Sequence, residues 1–317
     1  MSLAVALSPA RSTGRGALLC LISAAGFGIA PIFAKEAYRA GLTVNTMLGV
    51  RFAIAAAIFW AIVAWRRPQW PSRRAMVTAI GLGSLGYAVQ STLFFGALTR
   101  ISASLTSLLL YLYPALVTVL AVLLRRERPD RRRIAALLSS AAGLILILGT
   151  GSAIGSVAGL GVLLALGAAL TYALYLTVAA GLPENLDVFL LSAIVCTAAA
   201  ASLGTAGSLT GSLQAPPDPM GWFWTAMLAV FSTVLPIATL LAGIRIVGAP
   251  TAAILSCAEP AITVVTTALL YSERLTPGQL AGGLAILGAV LLLQLRRPTP
   301  APPVRPRSHR HDPETTP

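Results

Sequence analysis

The sequence predicts an all-α membrane protein: ten transmembrane helices arranged as two inverted five-helix repeats. Three observations predict it. Apolar residues make up 56% of the 317-residue chain and charged residues only 10%, against roughly 25% charged in a soluble domain. So few polar groups cannot cover a surface in water, so lipid must cover much of it. Apolar runs of about 20 residues, long enough to cross a hydrocarbon layer, recur ten times. Lastly, two stretches 146 positions apart are worn copies of each other: Pro114-Ala115-Leu116-Val117 through Glu127-Arg128, and Pro260-Ala261-Ile262-Thr263 through Glu273-Arg274. In each, 13 positions separate proline from glutamate, and identities also fall at Ala103/Ala249, Leu109/Leu255, Val119/Val265, Leu123/Leu269 and Leu124/Leu270. A duplicated hydrophobic unit marks a repeat architecture.

The spans, numbered 1 to 10, are expected at about 16–34, 44–65, 75–98, 101–124, 134–150, 157–181, 186–206, 220–243, 248–271 and 276–295. Residues 1–15 precede them as a cytoplasmic segment. Span 1 follows Arg11 and Arg15 and imitates a signal peptide. It is long enough to cross, and nine more spans follow, so it reads as the first helix, uncleaved. The repeats, 16–150 and 157–296, join at the uncharged loop Gly151-Ser152-Ala153-Ile154-Gly155-Ser156. Five is odd, so the second repeat enters from the side opposite the first. Residues 297–317, rich in Pro, Arg and Thr, read as a disordered cytoplasmic tail.

The net charge of +13 is distributed as topology requires. With a cytoplasmic N-terminus, 18 Lys and Arg residues fall on the cytoplasmic side and four on the other: Lys35, Arg39, Arg100 and Arg274. This positive-inside bias predicts both termini in the cytoplasm of a bacterial inner membrane. It also argues against a nucleic-acid footprint, so the expected partners are lipid and a small-molecule substrate. Cys20, Cys196 and Cys257 lie within spans at no paired spacing, which predicts no disulfide and no metal site.

Inverted repeats usually hold their substrate site near mid-membrane, where helices are broken. Pro114 lies about 13 residues into span 4, ~20 Å along the axis at 1.5 Å per residue, and Pro260 is as deep in span 9, entered from the other side. Each proline frees the carbonyl four residues earlier, Leu110 and Ser256 respectively. Pro31 in span 1 and Pro236 in span 8 add two interruptions. Proline is common in membrane helices, but a symmetry-related pair points to kinks beside a cavity, and these four are the candidate hinges. The glycines of span 3 (Gly81, Gly83, Gly86) and span 10 (Gly278, Gly282, Gly283, Gly288) permit close helix approach, within the bundle or across a homodimer. Monomer and homodimer both remain open.

Of ten acidic residues only Glu259 lies deep in a span. A buried carboxyl is costly and marks function by default: it can exchange a proton or meet a substrate ammonium, or it can merely hydrogen-bond a neighbouring helix. Arg51, about 10 Å inside span 2 by helix rise, can snorkel outward, pair with Glu36 or attract a carboxylate. The other candidate substrate-binding residues are Phe27, Tyr87, Gln90, Tyr111, Tyr113, Tyr172, Tyr175, Ser232 and Ser256. Tyr111 and Tyr113, two apart, are expected on different faces of a helix. Both histidines, His309 and His311, are in the tail, and no aspartate occupies a span core. Intramembrane Ser/His or Asp/Asp catalysis is therefore not provided for, and no phosphate-binding Gly-rich loop ending in Lys-Ser/Thr appears. No cofactor is expected.

Several of these segments together resemble a known family. Arg51-Phe52, Leu93-Phe94-Phe95-Gly96-Ala97-Leu98, Ser102-Ala103-Ser104 through Pro114, and Glu127 match in the first half. Glu259-Pro260, Glu273-Arg274-Leu275-Thr276, Gln279 and Gly282 match in the second. Over about residues 16–296 the chain resembles the EamA-type proteins of the drug/metabolite transporter superfamily. It departs from them at Tyr172, where the family often has Trp. It also departs from its own symmetry at Tyr113, which stands where the second half has Glu259. The resemblance implies alternating access around a central cavity lined mainly by spans 1, 3, 4, 6, 8 and 9, with spans 5 and 10 peripheral. It further implies export of small metabolites, with amino-acid exporters, aromatic ones included, forming one branch. Cationic drugs, nucleobases or sugar derivatives are the alternative cargo, and a non-transporting sensor or scaffold is the alternative class.

Overall fold

The computed structural model describes residues 9–125, 130–149, 156–183, 185–215 and 218–294. Glu127 and Arg128, the 151–155 joint and the tail after 294 lie outside the described residues. Ten helices are long and apolar enough to cross a membrane: Thr13–Arg39, Val44–Arg66, Arg73–Ala97, Ala103–Leu123, Arg131–Gly149, Ala158–Ala179, Val188–Thr210, Met220–Val247, Thr251–Tyr271 and Pro277–Gln294. These are spans 1 to 10, and among the described residues there is no strand.

Polar side chains start several spans by accepting an otherwise orphaned N–H. Thr43 accepts from Thr46 N at 3.2 Å, Ser72 from Ala75 N at 3.3 Å, and Ser102 from Leu105 N at 3.2 Å. Asp187 accepts from Phe189 N and Leu190 N. Left-handed residues end others, Arg67 after span 2 and Ser272 after span 9.

The packing obeys the repeat. Span 1 packs on span 8 and span 3 on span 6; span 1 also packs on span 9, and span 4 on span 6. Spans 2 and 7, 4 and 9, and 5 and 10 pack on their own mates. Exchanging each span with the one five later returns the same set of pairs.

Glycines set the closest crossings. A Cβ on Gly282 would lie 2.4 Å from the carbonyl oxygen of Gly143, and one on Gly143 would lie 2.6 Å from that of Gly282. Spans 5 and 10 thus meet backbone to backbone inside the bundle. A Cβ on Gly28 would lie 2.8 Å from the Glu259 carbonyl oxygen, which brings span 1 onto span 9 beside the one deep carboxyl.

Three spans are broken and two carry a π turn. Span 1 breaks at Ile29, before Pro31; span 4 at Tyr111 and Leu112, before Pro114; span 9 at Cys257, before Pro260. Span 8 stays continuous but widens into a π-helical turn, Val230–Val234, just before Pro236. Span 3 has the matching turn, Leu82–Tyr87. Such turns concentrate at functional sites, and here both repeats carry one in their third span.

Candidate functional site

Thr13 and Gln294 mark one end of the bundle, the terminal end; the other is the distal end. The distal end is tied. Lys35 of span 1 pairs with Glu273, beyond span 9. Glu273 also accepts from the first N–H groups of span 4, Ala103 N at 3.4 Å and Ser104 N at 3.3 Å, and from Ser104 Oγ at 3.2 Å. It therefore sits at the positive end of a helix dipole. Burial alone would raise its carboxyl, but the Lys35 partner and the two N–H groups outweigh burial and hold it below the usual carboxylate range. Tyr271 donates to Glu36 Oε1 at 2.6 Å, and Glu36 also accepts from Arg39 at 2.8 Å. Spans 1, 4 and 9 are thus joined at this end.

A cavity of about 200 Å³ runs from mid-depth toward the terminal end. Tyr111 and Tyr113 of span 4, Ser256 and Cys257 of span 9, Ile244 of span 8 and Gln294 of span 10 are among its walls. Among the described residues its walls come from spans 4, 8, 9 and 10. Span 10 does contribute, because Gly283 seats it against Leu108 of span 4.

Tyr111 and Tyr113 share this cavity, and their rings lie 5.8 Å apart, edge to face. The expectation that they occupy different faces is thereby overturned. It assumed an unbroken helix, and the break at 111–112 resets the rotation between them. Tyr111 then reaches across to span 9. Its hydroxyl lies 2.7 Å from the Ser256 carbonyl oxygen and 3.0 Å from Glu259 Oε2. The carbonyl that Pro260 frees is therefore met by the first repeat. A tyrosine hydroxyl has one proton to give. Both contacts are hydrogen bonds at once only when Glu259 is the neutral acid, donating to Tyr111 Oη while Tyr111 donates to Ser256.

From Tyr113 a line of rings crosses the bundle. Tyr172 lies 4.7 Å from Tyr113, Tyr175 is 6.0 Å from Tyr172, Tyr87 is 6.0 Å from Tyr175, and Phe52 is 5.0 Å from Tyr87. Tyr87, Tyr172 and Tyr175 thus belong with Tyr113 in one aromatic file, though outside the cavity wall. Gln90 is buried in span 3 and accepts from Ser91. Phe27 is half-buried in span 1.

The file ends beside Arg51, which is buried. Arg51 does not snorkel, and Glu36, its expected partner, is held by Arg39 and Tyr271 instead. Arg51 Nε donates to Thr233 Oγ1 at 2.8 Å, and Nη2 makes a long contact, 3.4 Å, with the Ser232 carbonyl oxygen. Pro236 has no N–H to offer that carbonyl. Thr233 in turn donates to Leu228 O, five residues back, as the π turn allows. The guanidinium carbon lies 5.3 Å from the Phe52 ring centre and 5.0 Å from that of Phe95. Each such contact contributes about 2 kcal/mol when desolvated, against several kcal/mol for burying an ion. No carboxylate among the described residues pairs with Arg51, and Arg51 Nη1 and Ser232 Oγ are buried without a partner.

Sequence reasoning named the tyrosines, Glu259 and the four prolines. It missed both π turns and the distal tie. The spread of charges to the loops hid the latter, since Lys35 and Glu273 are 238 positions apart.

The comparisons with known proteins agree with this architecture. The model of the EamA-like transporter family matches twice, over residues 14–149 and 159–295. "Uncharacterized transporter YcbK" of Bacillus subtilis is 30% identical over 292 residues, covering 87% of this chain and 91% of that protein. "Uncharacterized inner membrane transporter YicL" of Salmonella typhimurium is 24% identical over 297 residues, covering 90% and 96% respectively. A solved structure described only as "Crystal structure of protein" superposes with a TM-score of 0.61 at 17% identity, covering 88% of this chain and 96% of that one; it bears on the fold alone. Ten apolar spans in two repeats, matched over both halves by one family model, place the chain as a membrane transporter: it belongs to the EamA-like transporter family.

Proposed function

We propose that this transporter exports amino acids or similar small amphipathic metabolites by alternating access. In this reading the terminal end is cytoplasmic, as the positive-inside bias indicates, and the membrane is the bacterial inner membrane, as with the Salmonella relative's name. The functional halves are 16–150 and 157–296, flanked by 1–15 and 297–317.

One observation carries the reading: a cavity open toward one end stops at the Tyr111–Ser256–Glu259 cluster, while the other end is tied by Lys35 and Glu273. That is the arrangement of one state of an alternating carrier, with the site at broken helices near mid-membrane. Tyrosine faces and a single carboxyl suit a cargo with an apolar body and an ammonium group. Pro31, Pro114, Pro236 and Pro260 are the hinges on which the span pairs rock. Glu259 couples the movement to a proton, since cargo ammonium and a carboxylic-acid proton compete for one carboxyl.

The same carboxyl favours a second reading, in which the cargo is a cationic drug with no carboxylate. Efflux of radiolabelled amino acids from proteoliposomes, against empty liposomes, tests the first reading; no efflux across a broad panel sinks it. Glu259→Gln keeps an amide in reach of Tyr111 but carries no titrating proton. It is expected to abolish the pH dependence of efflux, and unchanged pH dependence removes the proton from the mechanism.

A further inference from the structure

Arg51 is the one basic residue well inside a span, and the cavity makes no use of it. Its surroundings are specialised. The π turn of span 8 presents Thr233 and Ser232 to it, Pro236 leaves the Ser232 carbonyl for it, and the π turn of span 3 ends at Tyr87, on the ring beside it. Yet the arrangement is incomplete. Among the described residues the guanidinium has no counter-charge, and two hydrogen-bonding atoms, Arg51 Nη1 and Ser232 Oγ, are buried with no partner. The large majority of buried polar side-chain atoms in native proteins are paired, and an exception calls for an explanation. Ser232 already supplies its carbonyl to Nη2, so its unpartnered hydroxyl belongs to a residue that touches the guanidinium. Two free donors, one of them charged, match the two oxygens of a carboxylate.

We infer that Arg51 and Ser232 form a receptor for the carboxylate of a small organic acid, buried between spans 2 and 8. Arg51 lies seven residues from the distal end of span 2, about 10 Å at helix rise. The receptor is thus closed off in the state described here, by the same end that Lys35 and Glu273 tie. It is reached when the distal end opens, and it holds cargo by its acid group in that state. The inference rests on the transport reading and sharpens it: the cargo must carry a carboxylate, which a purely cationic drug does not.

The test is equilibrium binding to the full-length protein in nanodiscs, with three probes that share one ring. L-Phenylalanine and N-acetyl-L-phenylalanine carry the carboxylate; L-phenylalaninamide does not. The acids are expected to bind and the amide to bind at least tenfold more weakly. Ser232→Ala is the decisive variant. It removes an unpartnered buried hydroxyl, so the ligand-free protein is expected to melt no lower than wild type. Affinity for the acids falls roughly tenfold, the worth of one hydrogen bond to a charged group. Arg51→Lys keeps the charge but not the fork, and is expected to lose the preference for acid over amide. Equal binding of amide and acid overturns the receptor. So does Ser232→Ala binding the acids as wild type does, or a wild-type protein that binds none of the three. Acid binding with these dependences but no liposome efflux leaves the receptor standing and sinks the transport reading instead.

Discussion

Pro236 in span 8 and Pro260 in span 9 each withhold an N–H from a serine carbonyl four residues earlier, and the first repeat meets the two carbonyls differently. At Ser256 the partner is the Tyr111 hydroxyl, which also touches Glu259. All three groups there are satisfied, by the Tyr111 proton on the Ser256 carbonyl and the Glu259 proton on Tyr111. At Ser232 the partner is a guanidinium on a long contact, with one nitrogen and the serine hydroxyl left over. Freed backbone in a membrane must be paired within protein or beside water. The first break is a closed circuit, able to hold a helix bent in the absence of any ligand. The second lacks a partner and is built to receive one. A proline kink in this protein is therefore not one device but two, distinguished by whether its carbonyl is fully met.

Removing the closed circuit should have the largest effect. Tyr111→Phe keeps the ring against Tyr113 but leaves the Ser256 carbonyl without its donor and the Glu259 acid without its acceptor. A loss of about 1–3 kcal/mol is expected, read as a lower melting temperature in detergent, together with loss of efflux. A variant as stable as wild type would show that the circuit does not hold the kink. Tyr113→Phe, whose hydroxyl takes no part in the circuit, serves as the control and should change stability by less than about 1 kcal/mol.

Restoring an N–H to each carbonyl in turn gives an intermediate effect and separates the two breaks. Pro260→Ala offers Ser256 a backbone donor that competes with Tyr111. It is expected to straighten span 9 and slow efflux at unchanged or higher melting temperature. Pro236→Ala offers Ser232 the same, but Arg51 then loses a contact, so melting should fall. Equal responses of the two variants would erase the distinction between the breaks.

The smallest effect expected is at the distal tie. Glu273 is held below the usual carboxylate range by Lys35 and two backbone N–H groups. A depressed carboxylate contributes stability that is fully present above its unfolded value, about 4.3, and is lost as pH falls through the folded one. Wild type should therefore lose distal closure below about pH 4, and Glu273→Gln should show the loosened state already at neutral pH. Spin-label distances between the distal ends of spans 1 and 4 would read both. A distal end that stays closed in Glu273→Gln would show that the Lys35 pair is incidental.

Much of this was legible in the sequence because membrane burial writes long, plain signals. Ten apolar runs, an odd number per repeat and the Pro114/Pro260 pair state the fold without reference to contacts. The Ser256 carbonyl was predictable from Pro260 alone, but not Tyr111 as its partner. That contact spans 145 positions and depends on where span 4 breaks. The same break defeated the helix-face argument for Tyr111 and Tyr113. Arg51 was visible as an anomaly, but its surroundings are made by two π turns, Leu82–Tyr87 and Val230–Val234, whose glycines and proximity to Pro236 do not by themselves specify a π turn. Hydropathy reports which residues leave water. It does not report which carbonyl a distant side chain will find.

Cys257 offers the most direct test of alternation about the Tyr111 cluster. It lines the cavity, whereas Cys20 and Cys196 are buried elsewhere. In a Cys20→Ser, Cys196→Ser background, a membrane-impermeant maleimide applied to vesicles of either orientation reports which side reaches it. The account predicts labelling from the terminal side only in the absence of cargo, and new labelling from the distal side once transported amino acid is added. Labelling from both sides at once, or from the terminal side alone whatever is added, would contradict it.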